Sequence, residues 1–257
     1  MRYTATNNFA SESGHWYLPD GTPFYTIVGK NGVGRPVTLR DARPKGAYPS
    51  VTGIINCAAK PGLESWKLEQ MKLAALTLPK KPGETEKDWL DRVDHDSKEQ
   101  ARKAAYRGAQ IHGYLEWYYL EHVPTDEEWV FVRPVKDEIL KRTGAYSWSA
   151  EKTFAHPLGF GGKCDLHNDQ WVIDFKTKDK IEEGKRLAWD DHSMQLAAYR
   201  VGLGLLESTR CANVFVSTTE PVKVVWHEHS KDELTRGWTM FEHLLGYWQA
   251  KNNYWPI

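Results

Sequence analysis

Gly161-Gly162-Lys163-Cys164-Asp165-Leu166, followed after a short gap by Trp171-Val172-Ile173-Asp174-Phe175-Lys176-Thr177-Lys178, is the stretch that decides how this 257-residue chain is read. The second segment is rich in β-branched and aromatic residues, and Asn168-Asp169 supplies turn chemistry, so the two read as strands of a hairpin. With Glu151–Ala155 they make three consecutive strands, Glu151–Ala155, Gly162–Leu166 and Trp171–Thr177. Asp165 falls near the end of one strand and Asp174 in its partner, and adjacent antiparallel strands can present both carboxylates close together. Lys176 shares the face of Asp174 because strand side chains alternate with a period of two. Two hard oxygen ligands, of the kind magnesium or manganese takes, and an ammonium thus converge on one patch. The acid-x-Lys spacing alone says little, since Asp96-Ser97-Lys98 and Glu183-Gly184-Lys185 share it. Only the middle copy lies in a β-prone run with a second aspartate upstream, where an unpaired Asp174 would be costly to bury. A plain strand-end ion pair between Asp174 and Lys176 is the alternative.

Working outward, His15–Leu18 and Pro23–Val28 flank Pro19-Asp20-Gly21-Thr22 and predict a hairpin, and Gly29–Gly46 reads as a Gly/Pro/Arg-rich loop. From Ser50 or Thr52 the pattern turns helical, breaks at Lys60-Pro61-Gly62, and resumes over Leu63–Leu76. Thr85-x-x-Asp88 and Ser97-x-x-Gln100 resemble capping boxes, the second opening a strong helix over Lys98–Glu121. A loop around Pro124 and Pro134 precedes a helix over 135–143. Beyond the three strands come a helix over Leu187–Leu206, two β-rich runs, Ala212–Thr218 and Val222–His229, and a closing amphipathic helix over Asp232–Lys251. This order predicts an α/β fold with a mixed central β-sheet flanked by helices. Residues 1–47 form an N-terminal hairpin and basic arm, and 48–257 the core, with no obvious linker between them.

Lys plus Arg and Asp plus Glu balance at 34 each, so the whole chain offers no strong field to an acidic polymer. The balance is uneven, however: Lys30, Arg35, Arg40, Arg43 and Lys45 face one acid, Asp41, between residues 30 and 45. That segment is either a phosphate-contacting arm or a solvated basic loop. Cys57, Cys164 and Cys211 are widely separated and form no C-x-x-C pair, so neither a zinc ribbon nor a disulfide framework is suggested and a reducing cytoplasm fits best. The N-terminus lacks a signal-like apolar run, and nowhere do about 18 apolar residues run together, so neither secretion nor a membrane span is expected. Twelve tryptophans suit core and groove lining, although aromatic faces also stack bases. Gly29-Lys30-Asn31-Gly32-Val33-Gly34 lacks the G-K-[ST] ending of a phosphate loop. His227-x-His229 offers two metal ligands on one strand face without an obvious third and reads as a surface pair. Gly159-x-Gly161-Gly162 reads as a tight turn giving nucleic acid close backbone approach.

Taken in order, Gly161-Gly162-Lys163-Cys164-Asp165-Leu166, Ile173-Asp174-Phe175-Lys176-Thr177 and Gln195-x-x-x-Tyr199 resemble the RecB-like branch of the PD-(D/E)XK nucleases. Gly108-Ala109-Gln110-Ile111-His112-Gly113-Tyr114-Leu115-Glu116 is similar to the histidine motif of that branch. Tyr48-Pro49-Ser50-Val51-Thr52 with Trp66 resembles a segment of RecB-like phage exonucleases and the mitochondrial genome maintenance exonuclease. The resemblance spans about residues 48 to 220. It implies a restriction-endonuclease-like core and a metal-dependent DNA exonuclease leaving 5′-phosphate ends, in phage replication, recombination or degradation. His112, Asp165 and Asp174 would be metal ligands with the main-chain carbonyl of Phe175, and Lys176, Gln195 and Tyr199 would serve the reaction. Glu116 is a weaker ligand candidate, and Glu151 matches a glutamate often found at its position. Arg35, Arg40, Arg43, Lys45, Ser50 and Thr52 are candidate DNA contacts. The implied cofactor is Mg2+ or Mn2+. Three cysteines, wrongly spaced, leave no iron-sulfur cluster expected. Partners implied are DNA and a separate single-strand-binding, annealing or helicase protein. A flap endonuclease and a non-catalytic DNA-binding module of the same fold are the rival readings.

Overall fold

The computed structural model describes residues 15–256, so the reading of the N-terminus over residues 1–14 lies outside the described part. In chain order the elements are β1 (Trp16–Tyr17), β2 (Thr26–Val28), β3 (Gly34–Pro36), α1 (Leu39–Ala42), β4 (Tyr48–Pro49), α2 (Val51–Ile55), α3 (Pro61–Thr77), α4 (Glu86–Tyr119), α5 (Asp126–Thr143), β5 (Ser149–His156), β6 (Phe160–His167), β7 (Trp171–Lys178), α6 (Asp190–Gly202), β8 (Arg210–Ser217), β9 (Val224–His229) and α7 (Lys231–Asn252).

Strands β5 to β9 make one sheet in that order. Only β7 and β8 run parallel, because α6 carries the chain back between them, and the other neighbours are antiparallel. Alternation along β7 sends Trp171, Ile173 and Phe175 into a cluster with Ile111 and Leu115 of α4 and Phe131, Val132, Val135 and Ile139 of α5. Val172 faces the opposite cluster, with Leu196 and Ala197 of α6 and Phe241 and Leu245 of α7. The sheet is thus a mixed one buried between two helical layers.

One seam of the sheet departs from regularity. The β6–β7 ladder pairs Leu166 with Ile173 and His167 with Val172 and continues no further. The next opposed positions would be Asp165 and Asp174. Cys164 belongs to the α6–α7 cluster and Leu166 to the α4–α5 cluster, although residues two apart on a strand should share a face. Strand β6 therefore changes face at Asp165, and the two strands part there.

Several expectations need correction. The 15–28 hairpin shrinks to a Tyr17–Pro23 bridge, because Pro23 has no N–H to extend a ladder; β1 pairs with β4 and β2 with β3 instead. The 29–46 loop contains β3 and α1. Thr85 is a true cap, accepting from the Asp88 N–H, but Ser97 lies inside α4, its hydroxyl donating to the Asp94 carbonyl. Helix α5 begins at a capping box of Thr125 and Glu128 and runs through Pro134. Burial of Phe131, Val132, Val135 and Ile139 outweighs a proline cost of about 3 kcal/mol. Helix α6 is shorter than expected, ending before Gly204, whose φ of +68° stops it.

Candidate active site

The parting of β6 and β7 opens a cleft of about 670 Å³. From β6 it takes Lys163 and Asp165, from β7 Asp174, Phe175 and Lys176, from α4 His112 and Glu116, and from α6 Gln195 and Tyr199. The residues singled out by motif therefore meet, reached from both faces of the sheet.

Asp165 sits in the gap itself. Its Oδ2 accepts the Phe175 N–H at 2.7 Å, a bond that stands where a β6 carbonyl would have paired, and lies 3.1 Å from His112 Nε2. A strand residue sends its N–H and C=O to the same side, so the Phe175 carbonyl also faces the gap. Burial opposes charge on both Asp165 and His112, but their mutual attraction and hydrogen bond outweigh it. His112 is raised to about 9 and Asp165 is held below the usual carboxylate range.

Asp174 is 2% exposed, a carboxylate that would be prohibitive without partners. Asn213 Nδ2 donates to Oδ2 at 2.7 Å, Gln195 Nε2 to Oδ1 at 2.8 Å, and Lys176 Nζ lies 2.9 Å from Oδ2. Gln195 acts as a clamp: its Oε1 accepts from Lys176 Nζ at 3.0 Å and its Nε2 also meets the Tyr199 hydroxyl at 2.9 Å. One helical turn separates Gln195 from Tyr199, which lets the second brace the first. The Asp174–Lys176 ion pair exists, and it is embedded in this larger network.

Glu116 lines the same cleft as His112, its Oε1 3.8 Å from Lys163 Nζ. Lys163 also pairs closely with Glu151, a half-buried residue in the left-handed region at φ +55°. Burial, and next the Asp165 charge, raise the Glu151 carboxyl, Lys163 pulling it the other way. Ser50 and Thr52 line the cleft, where Ser50 caps α2 through the Gly53 N–H. Trp66 lies exposed on α3.

Arg35, Arg40, Arg43 and Lys45 do not line the cleft. Arg35 is committed to Asp41 at 2.8 and 2.9 Å, and Arg43 donates to the Asn253 carbonyl at 2.9 Å; Arg40 and Lys45 are exposed. Gly161 and Gly162 lie within β6 rather than in a turn, Gly159 alone keeping a turn φ of +92°. A Cβ on Gly161 would stand 2.8 Å from the Tyr17 ring, and one on Gly162 2.6 Å from Phe154, so the close approach there is made by the protein's own aromatics. Asn213 and Lys163 were not anticipated. Asn213 carried the same signal as Asp174, a polar residue inside an apolar strand run.

The donor set fits a divalent cation: two carboxylates and a carbonyl of hard character with one imidazole, in a cleft, with Asp165 presented at a break in the ladder. No family model matches the chain, and no curated protein matches it significantly. Among solved structures, a protein of Eubacterium rectale named provisionally as an exonuclease aligns at 12% identity over 57% of this chain and 68% of its own, with a TM-score of 0.39. An alkaline exonuclease from Laribacter hongkongensis aligns at 16% identity over 57% of this chain and 81% of its own, with a TM-score of 0.35. Likeness this distant carries no weight for chemistry. Among the described residues no helix is long and apolar enough to cross a membrane.

Proposed function

We propose that the chain is a metal-dependent DNA exonuclease of the PD-(D/E)XK type, RecB-like branch, hydrolysing phosphodiester bonds to leave 5′-phosphates. The observation that carries this reading is the convergence of Asp165, Asp174, Lys176, His112 and Gln195 where β6 and β7 part. Asp165, Asp174 and His112, with the Phe175 carbonyl, would hold Mg2+ or Mn2+. When bound, such an ion supplies Lewis-acid polarisation of a phosphoryl group and makes a water nucleophilic near neutral pH. Lys176 places an ammonium where negative charge develops and orients the attacking water. Gln195 fixes both Lys176 and Asp174, and Tyr199 fixes Gln195, so little reorganisation is left for the reacting state. His112 must lose its proton to act as a ligand, which links cation uptake to proton release. Ser50 and Thr52, which line the cleft, would contact a DNA strand bound there. A role in phage DNA replication, recombination or degradation, and a separate single-strand-binding, annealing or helicase partner, belong to the same proposal.

The test is incubation of the protein with end-labelled linear and closed circular DNA, single- and double-stranded, with magnesium, manganese or EDTA. Mononucleotides or short oligomers from linear DNA alone, abolished by EDTA and by Asp174→Ala, are the expected outcome. Cutting of the closed circle would replace this reading with an endonuclease. Inactivity of wild type with every metal, alongside retained DNA binding, would replace it with a binding module.

A further inference from the structure

His227 and His229 are not the surface pair their spacing suggested. His229 is 4% exposed, and the two rings stand edge to face with centroids 4.7 Å apart. Glu233, from the first turn of α7, supplies the third group that the strand spacing alone did not offer: one ligand atom from each of the three lies within 4.8 Å of the others.

The protonation of His229 follows from a chain of constraints that begins in the cleft. Asp174 is an acceptor, so the Asn213 group donating to its Oδ2 at 2.7 Å must be the amide nitrogen. The other end of that amide, Oδ1, is then an acceptor, and it lies 2.7 Å from His229 Nε2. Nε2 must carry the proton. In a neutral imidazole this leaves Nδ1 as a bare lone pair, and it is buried with no hydrogen-bond partner, as is Nε2 of His227. Glu233 Oε2 is occupied by the Ser230 N–H and hydroxyl at 2.8 and 2.9 Å, which holds the carboxylate in place.

From this we infer that His227, His229 and Glu233 form a second cation site, selective for a zinc-class transition metal rather than magnesium. Two imidazoles and one carboxylate are a borderline-soft, nitrogen-rich set, unlike the oxygen-rich set in the cleft. Ligands about 2.1 Å from a tetrahedral ion stand roughly 3.4 Å apart, so modest side-chain rotation closes the site and leaves a fourth position for water. The His229 Nε2–H to Asn213 bond is the outer support that ligating histidines need to fix their tautomer. The assignment is independent of the nuclease reading.

The test uses the full chain, stripped with chelator and titrated calorimetrically with zinc alone, for wild type, His227→Gln, Asp165→Asn and the double variant. Wild type is expected to bind one zinc equivalent more than His227→Gln, and Asp165→Asn one more than the double variant, whatever the cleft itself takes. Equal stoichiometry in wild type and His227→Gln overturns the proposal. A second readout needs no substitution: nitrogen-15 spectra of wild type should show His229 unprotonated at Nδ1 and shifted at that nitrogen by saturating zinc. A His229 protonated at Nδ1, or one that ignores saturating zinc, also overturns it.

Discussion

Helices α4 and α6 deliver side chains to the same pair of carboxylates from opposite faces of the sheet, and they are held in opposite ways. From His192 to Arg200 every residue of α6 is buried, and α7 presses on it so closely that a Cβ on Gly237 would stand 2.7 Å from the Ser193 backbone. Helix α4 is 34 residues long, and its sheet-facing anchors lie toward the C-terminal end, at Gly108, Ile111 and Leu115. Its first half packs on α3 and is tied to the connection between the two helices through the Trp89 indole on the Leu78 carbonyl and the Arg92–Glu84 pair. Gln195 is therefore placed by the core, whereas His112 is placed by the angle at which a long rod meets β7. Equal proximity to a site can rest on unequal mechanical support.

Truncating the core of α6 should break the comparison most severely. Leu196→Ala, at a fully buried position, is expected to cost about 2–5 kcal/mol of unfolding free energy by urea titration. Gln195→Ala comes next: the fold should persist, and loss of the clamp on Lys176 and Asp174 should lower kcat for DNA cleavage by about 10²-fold. A smaller activity loss, about tenfold, is expected for Gly108→Ala. The new Cβ would meet Thr177 Oγ1 at 2.5 Å and push α4, with His112, off β7, while alanine favours the helix by about 1 kcal/mol. Stability retained with activity reduced is the signature of that displacement; unchanged activity would show that α4 has no sensitive angle.

Acid should distinguish the helices as well. Burial, reinforced by the Lys176 charge, lowers His192 on α6 to about 3, so the fold holds it neutral. A folded value below the unfolded 6.5 means that this stability is fully present above pH 6.5 and is lost as pH falls toward 3. The loss should approach about 1 kcal/mol per pH unit, with a shallower slope in His192→Gln. At the other extreme Leu76→Ser on α3, where the side chain is 80% exposed, should change stability by no more than about 0.5 kcal/mol.

The strands bearing Asp165, Asp174 and Lys176 were legible because a period-two pattern, a turn and a polar residue inside an apolar run are all local signals. What escaped depended on distant context. Ser97 has the spacing of a cap, yet the helix begins earlier at Thr85, and nothing between them breaks it. Pro134 reads as a terminator until the apolar face it interrupts is seen packing on β8 and β9. Arg35 and Arg43 look available to phosphate, but one is tied to Asp41 and the other to the C-terminal end of α7 at Asn252 and Asn253. His229 looked superficial because its Asn213 partner lies on the neighbouring strand, reached only through the register of β8 with β9.

The short β6–β7 ladder has a mechanical meaning. With pairing confined to two positions beside the connecting turn, the sheet amounts to two plates, β5–β6 and β7–β9, joined at one corner. The spacing between Asp165 and Asp174 is then set less by the stiffness of a continuous sheet than by the bridges spanning the open mouth. Chief among them are the Phe175 amide on Asp165 and the contacts of His112 with Asp165 and the Phe175 ring. Whatever occupies that mouth meets a carboxylate spacing fixed by side-chain bridges rather than by backbone pairing.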